Sequence, residues 1–292
     1  MASIAPPLAP RKARRAARRR RPPVIPLALL LLVLIVPALA ADLIAPHDPY
    51  QSHLRNRLQP PAFWGGSWEF PLGTDRLGRC MLSRILHGAW YALSISMVGI
   101  AIGAALGSAM GLIAGYARGL TDVVLMRLAD ISFALPAVLL ALALGVAWGP
   151  SLQAVLIVVA FVLWAQFARQ VRGEVLSLRE RDFVARARVA GAGHLRILLR
   201  HILPNVFNTI VVMATLQIGV IIILEATLSF LGIGIPRPAP TWGLLIADGR
   251  QFITSAWWIS FFPGLAILLV VLSINLLGDW LRDRLDPRLR QI

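Results

Sequence analysis

Long uncharged apolar runs alternate along this chain with short connections rich in arginine. A run of roughly 18 or more apolar residues is long enough to cross a bilayer as a helix. The pattern predicts spans over residues 24–45, 90–115, 131–148, 152–168, 206–231 and 259–278. The third and fourth are separated only by Trp148-Gly149-Pro150-Ser151, whose glycine and proline mark a tight turn at the membrane surface. No period-two alternation of a membrane β-strand runs through the chain, so each span must satisfy its own backbone as a helix. The expected fold is an all-α integral membrane protein with six transmembrane helices.

Charge sets the orientation. The 292 residues are 58% hydrophobic and 15% charged, with a net charge of +15. Basic side chains stay preferentially on the cytoplasmic side of short loops. With the N-terminus inside, 22 of the 29 basic residues fall on the inner side and 7 on the outer side. Both termini are therefore expected in the cytoplasm. Trp90, Trp148, Trp257 and Trp258 then fall at outer ends and Trp280 at an inner end, as an interfacial belt requires. The resulting organisation is a basic tail 1–23, a first helix 24–45, an extracytoplasmic segment 46–89, a five-helix core 90–280 with a cytoplasmic loop 169–204, and a tail 281–292. The start of the chain also resembles a secretory signal, with an Ala-x-Ala site ending at Ala40. Its apolar run is long for a signal core, so residues 24–45 are expected to stay. The arginine cluster before it reads as a topology anchor against anionic lipid, with no nucleic acid as partner.

Several chemistries are excluded. Lys12 is the only lysine, which removes a Gly-Lys-Ser/Thr phosphate loop. Cys80 stands alone, so neither an intrachain disulfide nor a cysteine zinc cage is possible. The five histidines show no close metal-ligand spacing. No nucleophile–base or paired-carboxylate constellation has a credible context, and the chain reads as a non-enzymatic subunit with no cofactor or metal of its own.

The polar stretch 181–204 is the feature that lipid packing does not demand. Asp182 suits an N-cap and Gly191 a C′ position, and between them lies FVARARVA. Phe183, Ala187 and Ala190 fall on one face, with Ala185 and Arg186 away from it. A helix this short is marginal alone in water. It needs either a lipid surface or a protein partner, and composition leaves both open. LRILLRHI then leads to Pro204 at the start of the fifth span.

Other residues invite a reading. Glu225 is a carboxylate well inside a span, and burying it bare is costly. It is expected to be an interhelical anchor bonded to Thr227 or Ser229; an ion-coupled carrier would use it as a cation site. Asp130 is expected to anchor an interface through Arg127 or Arg118. Gly99, Gly103, Gly107, Gly111 and Gly115 form a stripe for close helix packing, within the chain or against a second membrane subunit. On the residues alone, an ion-coupled secondary transporter and a non-transporting membrane scaffold both remain open.

Residues 181–204 resemble the EAA loop of ABC-importer permeases, whose pattern is Glu-Ala-Ala, three residues, Gly, nine residues and Ile-x-Leu-Pro. Ala185-Arg186-Ala187, Gly191 and His201-Ile202-Leu203-Pro204 occupy those positions. RHILPN is the form usual in the dipeptide/oligopeptide/nickel branch. PLGTDRLGR, MRLADISFALP, EATLSFLGIGIP, TWGLLIADGR and GDWLRDRLDPRL are similar to signatures of the same branch. The resemblance implies a permease subunit of an ATP-driven importer for peptides or related solutes, including nickel chelates. It implies that Asp182, Phe183, Val184, Ala185, Arg186, Ala187, Arg188, Val189, Ala190, Gly191, Leu203 and Pro204 couple the bundle to ATPases. The implied partners are a homologous permease, two cytoplasmic ATPase subunits carrying ATP and magnesium, an extracytoplasmic solute-binding protein, and membrane lipid.

Overall fold

A computed structural model describes residues 23–285, so the basic cluster at 11–21 and the tail after residue 285 lie outside the described residues. Nine helices carry most of what is described: α1 (Val24–Ile44), α2 (Met81–Ala117), α3 (Gly119–Ala134), α4 (Ala137–Trp148), α5 (Leu152–Leu178), α6 (Asp182–Val189), α7 (His194–Phe230), α8 (Trp242–Gly249) and α9 (Trp258–Leu285). Among the described residues, the one strand-like pairing is a bridge between Thr74 and Cys80.

Helices α1, α2, α5, α7 and α9 are each long and apolar enough to cross a membrane. The predicted third span, 131–148, is not one helix. Its helical run begins at Gly119, and α3 and α4 meet at a bend of 82°. Pro136 is the cause: its ring drives Leu135 out of the helical region, to φ −88° and ψ 117°. Asp122, Arg127 and Asp130 hid the first half of this element from a purely apolar pattern. The first span matches its apolar stretch, whereas the other four helices outrun theirs. Helix α2 starts at Met81, α5 continues to Leu178, and α7 starts ten residues before Pro204.

Prolines explain two local widenings. A π-type stretch covers Leu31–Ile35 ahead of Pro37, and another covers Ile197–Ile202 ahead of Pro204. A proline in a helix lacks an N–H and presses its ring on the carbonyl four residues back. Those carbonyls belong to Val33 and Arg200, both inside the widened turns, where the extra residue makes room. Pro204 therefore sits inside a continuous helix rather than at its start. The Asn205 side chain donates to the His201 carbonyl at 2.6 Å and helps satisfy the altered turn.

Three buried clusters follow one another along α2. The first joins Met81, Ala89 and Ala92 to Leu34 of α1, Trp242 of α8 and Trp258 of α9. The second joins Ile95 to Val155, Val159 and Leu163 of α5 and Ile221 of α7. The third joins Leu112 to Val171 and Val175 of α5, Val184 of α6, and Ile197 and Val206 of α7. Trp258, expected in the interfacial belt, is instead only 4% exposed, and its indole N–H donates to the Thr74 carbonyl at 3.0 Å. Leu34, Ala38 and Ala41 of α1 are buried, and Leu34 and Ala38 belong to the first cluster.

The glycine stripe serves packing within the subunit. All five glycines are buried and face α5. A Cβ on Gly107 would lie 2.2 Å from the Trp164 carbonyl oxygen, and one on Gly111 would lie 2.5 Å from that of Ala168. Backbones this close leave no side chain free to yield. Gly107→Ala is expected to destabilise the bundle by about 1–3 kcal/mol through overpacking. Gly173, on the open side of α5 with nothing within 4 Å, gives the opposite sign. Gly173→Ala is expected to stabilise by up to about 1 kcal/mol through helix propensity. Thermal denaturation of the two purified variants in one detergent checks the pair.

Candidate functional site

Helix α6 is short because its sequence ends it twice over. Its N-cap position falls on Arg181, not Asp182, and no side chain caps the first turn; Asp182 is the first helical residue, where its charge favours the helix dipole. At the other end, Gly191 has φ +77°. The Gly191 N–H donates to the Arg188 carbonyl and the Ala192 N–H to the Ala187 carbonyl, both at 3.0 Å. This pair of bonds is a Schellman ending, with Ala190 as C-cap and Gly191 at C′.

One residue seats the helix. Val184 is fully buried among Leu112, Val171, Val175, Ile197, Ile202 and Val206. Phe183, Ala187, Ala192 and Leu203 pack against the same cluster. Ala190, expected on the apolar face, is exposed, because the chain leaves helical geometry there before the turn is complete. The buried side is thus centred on Val184 and Ala187. Ala185, Arg186, Arg188, Val189, Ala190 and Gly191 face outward, and Val189 is 91% exposed. Leu195, beyond the turn, is 69% exposed, and Pro204 is exposed at the far end. The exposed side chains thus combine apolar Val189 and Leu195 with the basic Arg186 and Arg188.

Polar contacts fasten the knob to the bundle. The Tyr116 hydroxyl, at the end of α2, lies 2.9 Å from His194 Nδ1 at the start of α7. Arg179 donates to the Tyr116 carbonyl. The guanidinium groups of Arg179 and Arg188 both lie 5.9 Å from the Tyr116 ring centroid. Arg118 pairs with Glu180 at 2.7 Å. These contacts join the ends of α2, α5 and α7 around α6, which contributes Arg188 to them.

Helix α3 is clipped to α5 by two ion pairs. Asp122 receives both Nε (2.6 Å) and Nη2 (2.7 Å) of Arg172, and Asp130 receives Arg169 Nη2 at 2.6 Å. Arg127 approaches Asp130 only to 3.9 Å, and Arg118 is engaged with Glu180, so neither expected partner is the main one. Glu225 is 2% exposed and accepts a hydrogen bond from Ser229 at 2.7 Å. Thr227 turns to the Ile223 carbonyl instead, while Thr241, the N-cap of α8, lies within reach of the Glu225 carboxyl. The Ser229 bond lies within α7, and Thr241 alone brings α8 toward the carboxyl. Between α5 and α7, Glu174 accepts from Thr209 at 2.7 Å, and Gln166 accepts from Gln217.

A second polar assembly was not singled out from the sequence. Asp75, 1% exposed, accepts from the Leu77 and Arg79 backbone N–H groups at 2.8 and 2.9 Å. It also accepts from Arg79 Nε at 2.7 Å and Arg84 Nη1 at 2.6 Å. Arg79 reaches toward Asp248 of α8 at 4.0 Å, and Arg237 holds Asp248 at 2.5 Å. Trp242 of α8 donates to the Ile85 carbonyl at 2.9 Å. The segment before α2 and the segment around α8 are therefore locked together. The available signal was the set of arginines at 79, 84 and 237, on the side where the charge bias disfavours them.

Residues 107–291 match the family model of the binding-protein-dependent transport system inner membrane component. The chain is 42% identical over 254 residues to the Di/tripeptide transport system permease protein DppC of Pseudomonas aeruginosa, covering 87% of this chain and 84% of the relative. It is 43% identical over 255 residues to the Dipeptide transport system permease protein DppC of Escherichia coli, covering 87% and 85%. Among solved structures, the MetNI methionine ABC transporter in inward facing conformations shares the fold. The TM-score is 0.59 at 18% identity, over 70% of this chain and 98% of that one. A bundle of apolar helices with a Schellman-ended knob on one face is, in this chain, a permease subunit: it belongs to the family of binding-protein-dependent transport system inner membrane components.

Proposed function

We propose that this subunit carries peptides, or related solutes such as nickel chelates, into the cell, with ATP and magnesium bound by two partner ATPases. The reading rests on identity above 40% with dipeptide permeases over most of the chain. Two ATPases grip the exposed side of α6 and its counterpart on a distinct homologous permease. A solute-binding protein docks on the opposite face. Closure of the ATPases on ATP moves α6, and its seat on the third cluster passes that motion to α2, α5 and α7. Nucleotide favours one orientation of the bundle over the other, which gives the cycle its direction. Glu225 acts as an anchor between α7 and α8, and Asp130 as an anchor between α3 and α5.

The test is uptake in vesicles containing this chain, its co-encoded permease and ATPases, with the binding protein and a labelled dipeptide. ATP-dependent accumulation is expected. Accumulation driven by an ion gradient without ATP, and abolished by Glu225→Gln, would overturn the reading. Orientation is tested separately. Val189 is so exposed that Val189→Cys is expected to react with an impermeant thiol reagent from the cytoplasmic side alone. Reaction from outside would reverse the topology. N-terminal sequencing of the purified subunit is expected to start ahead of Ala41, because α1 is buried against the bundle.

A further inference from the structure

Residues 58–68 carry no charged side chain and lie between Arg57 and Glu69. They fold into a tight turn rather than a loose loop. The Trp64 and Gly66 N–H groups both donate to the Pro61 carbonyl, at 2.8 and 3.0 Å, and Ala62 N–H donates to the Pro71 carbonyl at 3.1 Å. Gly65 sits at φ +91°, and a Cβ on Gly66 would lie 1.9 Å from the Pro60 oxygen. Glycine is therefore required at both positions. The turn pushes three aromatic side chains outward: Phe63 is 61% exposed, Trp64 64% and Trp68 81%. Water-facing turns rarely hold three large aromatic side chains with no charge among them, and such a patch marks a surface that is covered.

The position of the turn identifies what covers it. Phe63 meets Phe262 edge-on, with ring centroids 6.3 Å apart, and Trp64 meets Trp257 at 6.0 Å. Trp257 immediately precedes α9 and Phe262 lies near its start, where that helix enters the apolar span, and Phe261 is 52% exposed. The aromatic tip is thus level with the end of a membrane helix and continuous with its exposed side. Tryptophan and phenylalanine at that depth fit the boundary between headgroups and acyl chains.

We propose that the tip formed by Phe63, Trp64 and Trp68 is a lipid anchor that inserts into the membrane interface and holds the segment before α2 down on the bilayer. That the leaflet is the outer one rests on the proposed orientation; contact with lipid does not. The anchor fixes the height of the segment bearing Asp75, and through it of α8, against the bilayer plane.

The experiment uses the assembled transporter in vesicles of phosphatidylcholine and phosphatidylglycerol containing lipid spin-labelled near the headgroup. A nitrobenzoxadiazole fluorophore is attached at Glu69→Cys, exposed beside Trp68, or at Arg55→Cys, exposed elsewhere in the same segment. Cys80 is fully buried, and the unsubstituted protein reports any background labelling. Spin-labelled lipid is expected to quench the label at 69 several-fold more than that at 55. Adding Phe63→Ser, Trp64→Ser and Trp68→Ser is expected to bring position 69 down to the level of 55, with the subunit still in the membrane. Equal quenching at 69 and 55 overturns the proposal. So does a label at 69 that ignores lipid and loses solvent exposure only when the binding protein is added, which assigns the tip to that partner. An impermeant thiol reagent reports sidedness independently: lipid quenching with reaction from the cytoplasmic side upholds the anchor and overturns the orientation.

Discussion

Gly191→Val is expected to leave the subunit in the membrane and to abolish substrate-driven ATP hydrolysis. Nothing lies within 4 Å of a Cβ at this position, so steric overlap with neighbours does not enter. The conformation does: φ is +77°, and an L-residue held in the left-handed region costs about 1–2 kcal/mol, more for a β-branched one. The chain avoids that cost by giving up the ending. The Ala192 N–H then leaves the Ala187 carbonyl, and the exit toward His194 changes direction. Val184 keeps its seat, because the third cluster does not involve Gly191. The outward tip of Val189 and Leu195 is what shifts, and that surface is the proposed ATPase contact. Ala185→Glu, on an exposed position, is expected to be tolerated. Co-purification of the ATPases with each variant and vesicle transport separate the cases. Normal ATPase retention and uptake by Gly191→Val would remove the docking role and favour a helix resting on lipid headgroups.

Much of this architecture was legible because lipid imposes one rule at a time. Uninterrupted apolar runs had to be helices, and glycines four residues apart had to mark a close approach. What escaped the sequence was decided by pairing across distance. Asp122 and Asp130 looked like the end of a span until Arg172 and Arg169 of α5 were placed opposite them. With those charges paired, a helix runs on to Pro136. The seat of α6 differs by one residue from what periodicity predicts, for a related reason. Periodicity from Phe183 assumed that the helix completes its last turn, whereas the Schellman ending removes Ala190 from it and leaves Val184 as the anchor. Trp258 was assigned to the membrane boundary by its type and position. Its indole N–H instead finds the Thr74 carbonyl, a partner 184 residues away in the chain.

Asp75→Ala is expected to be more damaging than any single change to the exposed ion pairs. The carboxylate holds four N–H donors while 1% exposed, and two of them are guanidinium donors, from Arg79 and Arg84, whose side chains are 7% and 1% exposed. Removing one member of a buried pair strands the other charge away from water, at a cost of about 3–5 kcal/mol. Here two guanidinium groups lose their nearest counter-charge, leaving Asp248 as the remaining acid, already engaged by Arg237. The loss should appear as a sharply lower melting temperature and a smaller yield of inserted protein. Glu180→Ala provides the contrast, since Arg118 and Glu180 are 46% and 61% exposed and water replaces the lost partner for about 1 kcal/mol or less. Buried ion pairs are often replaceable by apolar side chains of similar volume, but this one is not a simple pair. Asp75 also accepts from the Leu77 and Arg79 backbone N–H groups, and no apolar side chain does that. Asp75→Ala combined with Arg84→Met is therefore expected to recover only part of the loss. Full recovery in the double variant would mean that charge compensation alone, without the turn bonds, accounts for the role of Asp75.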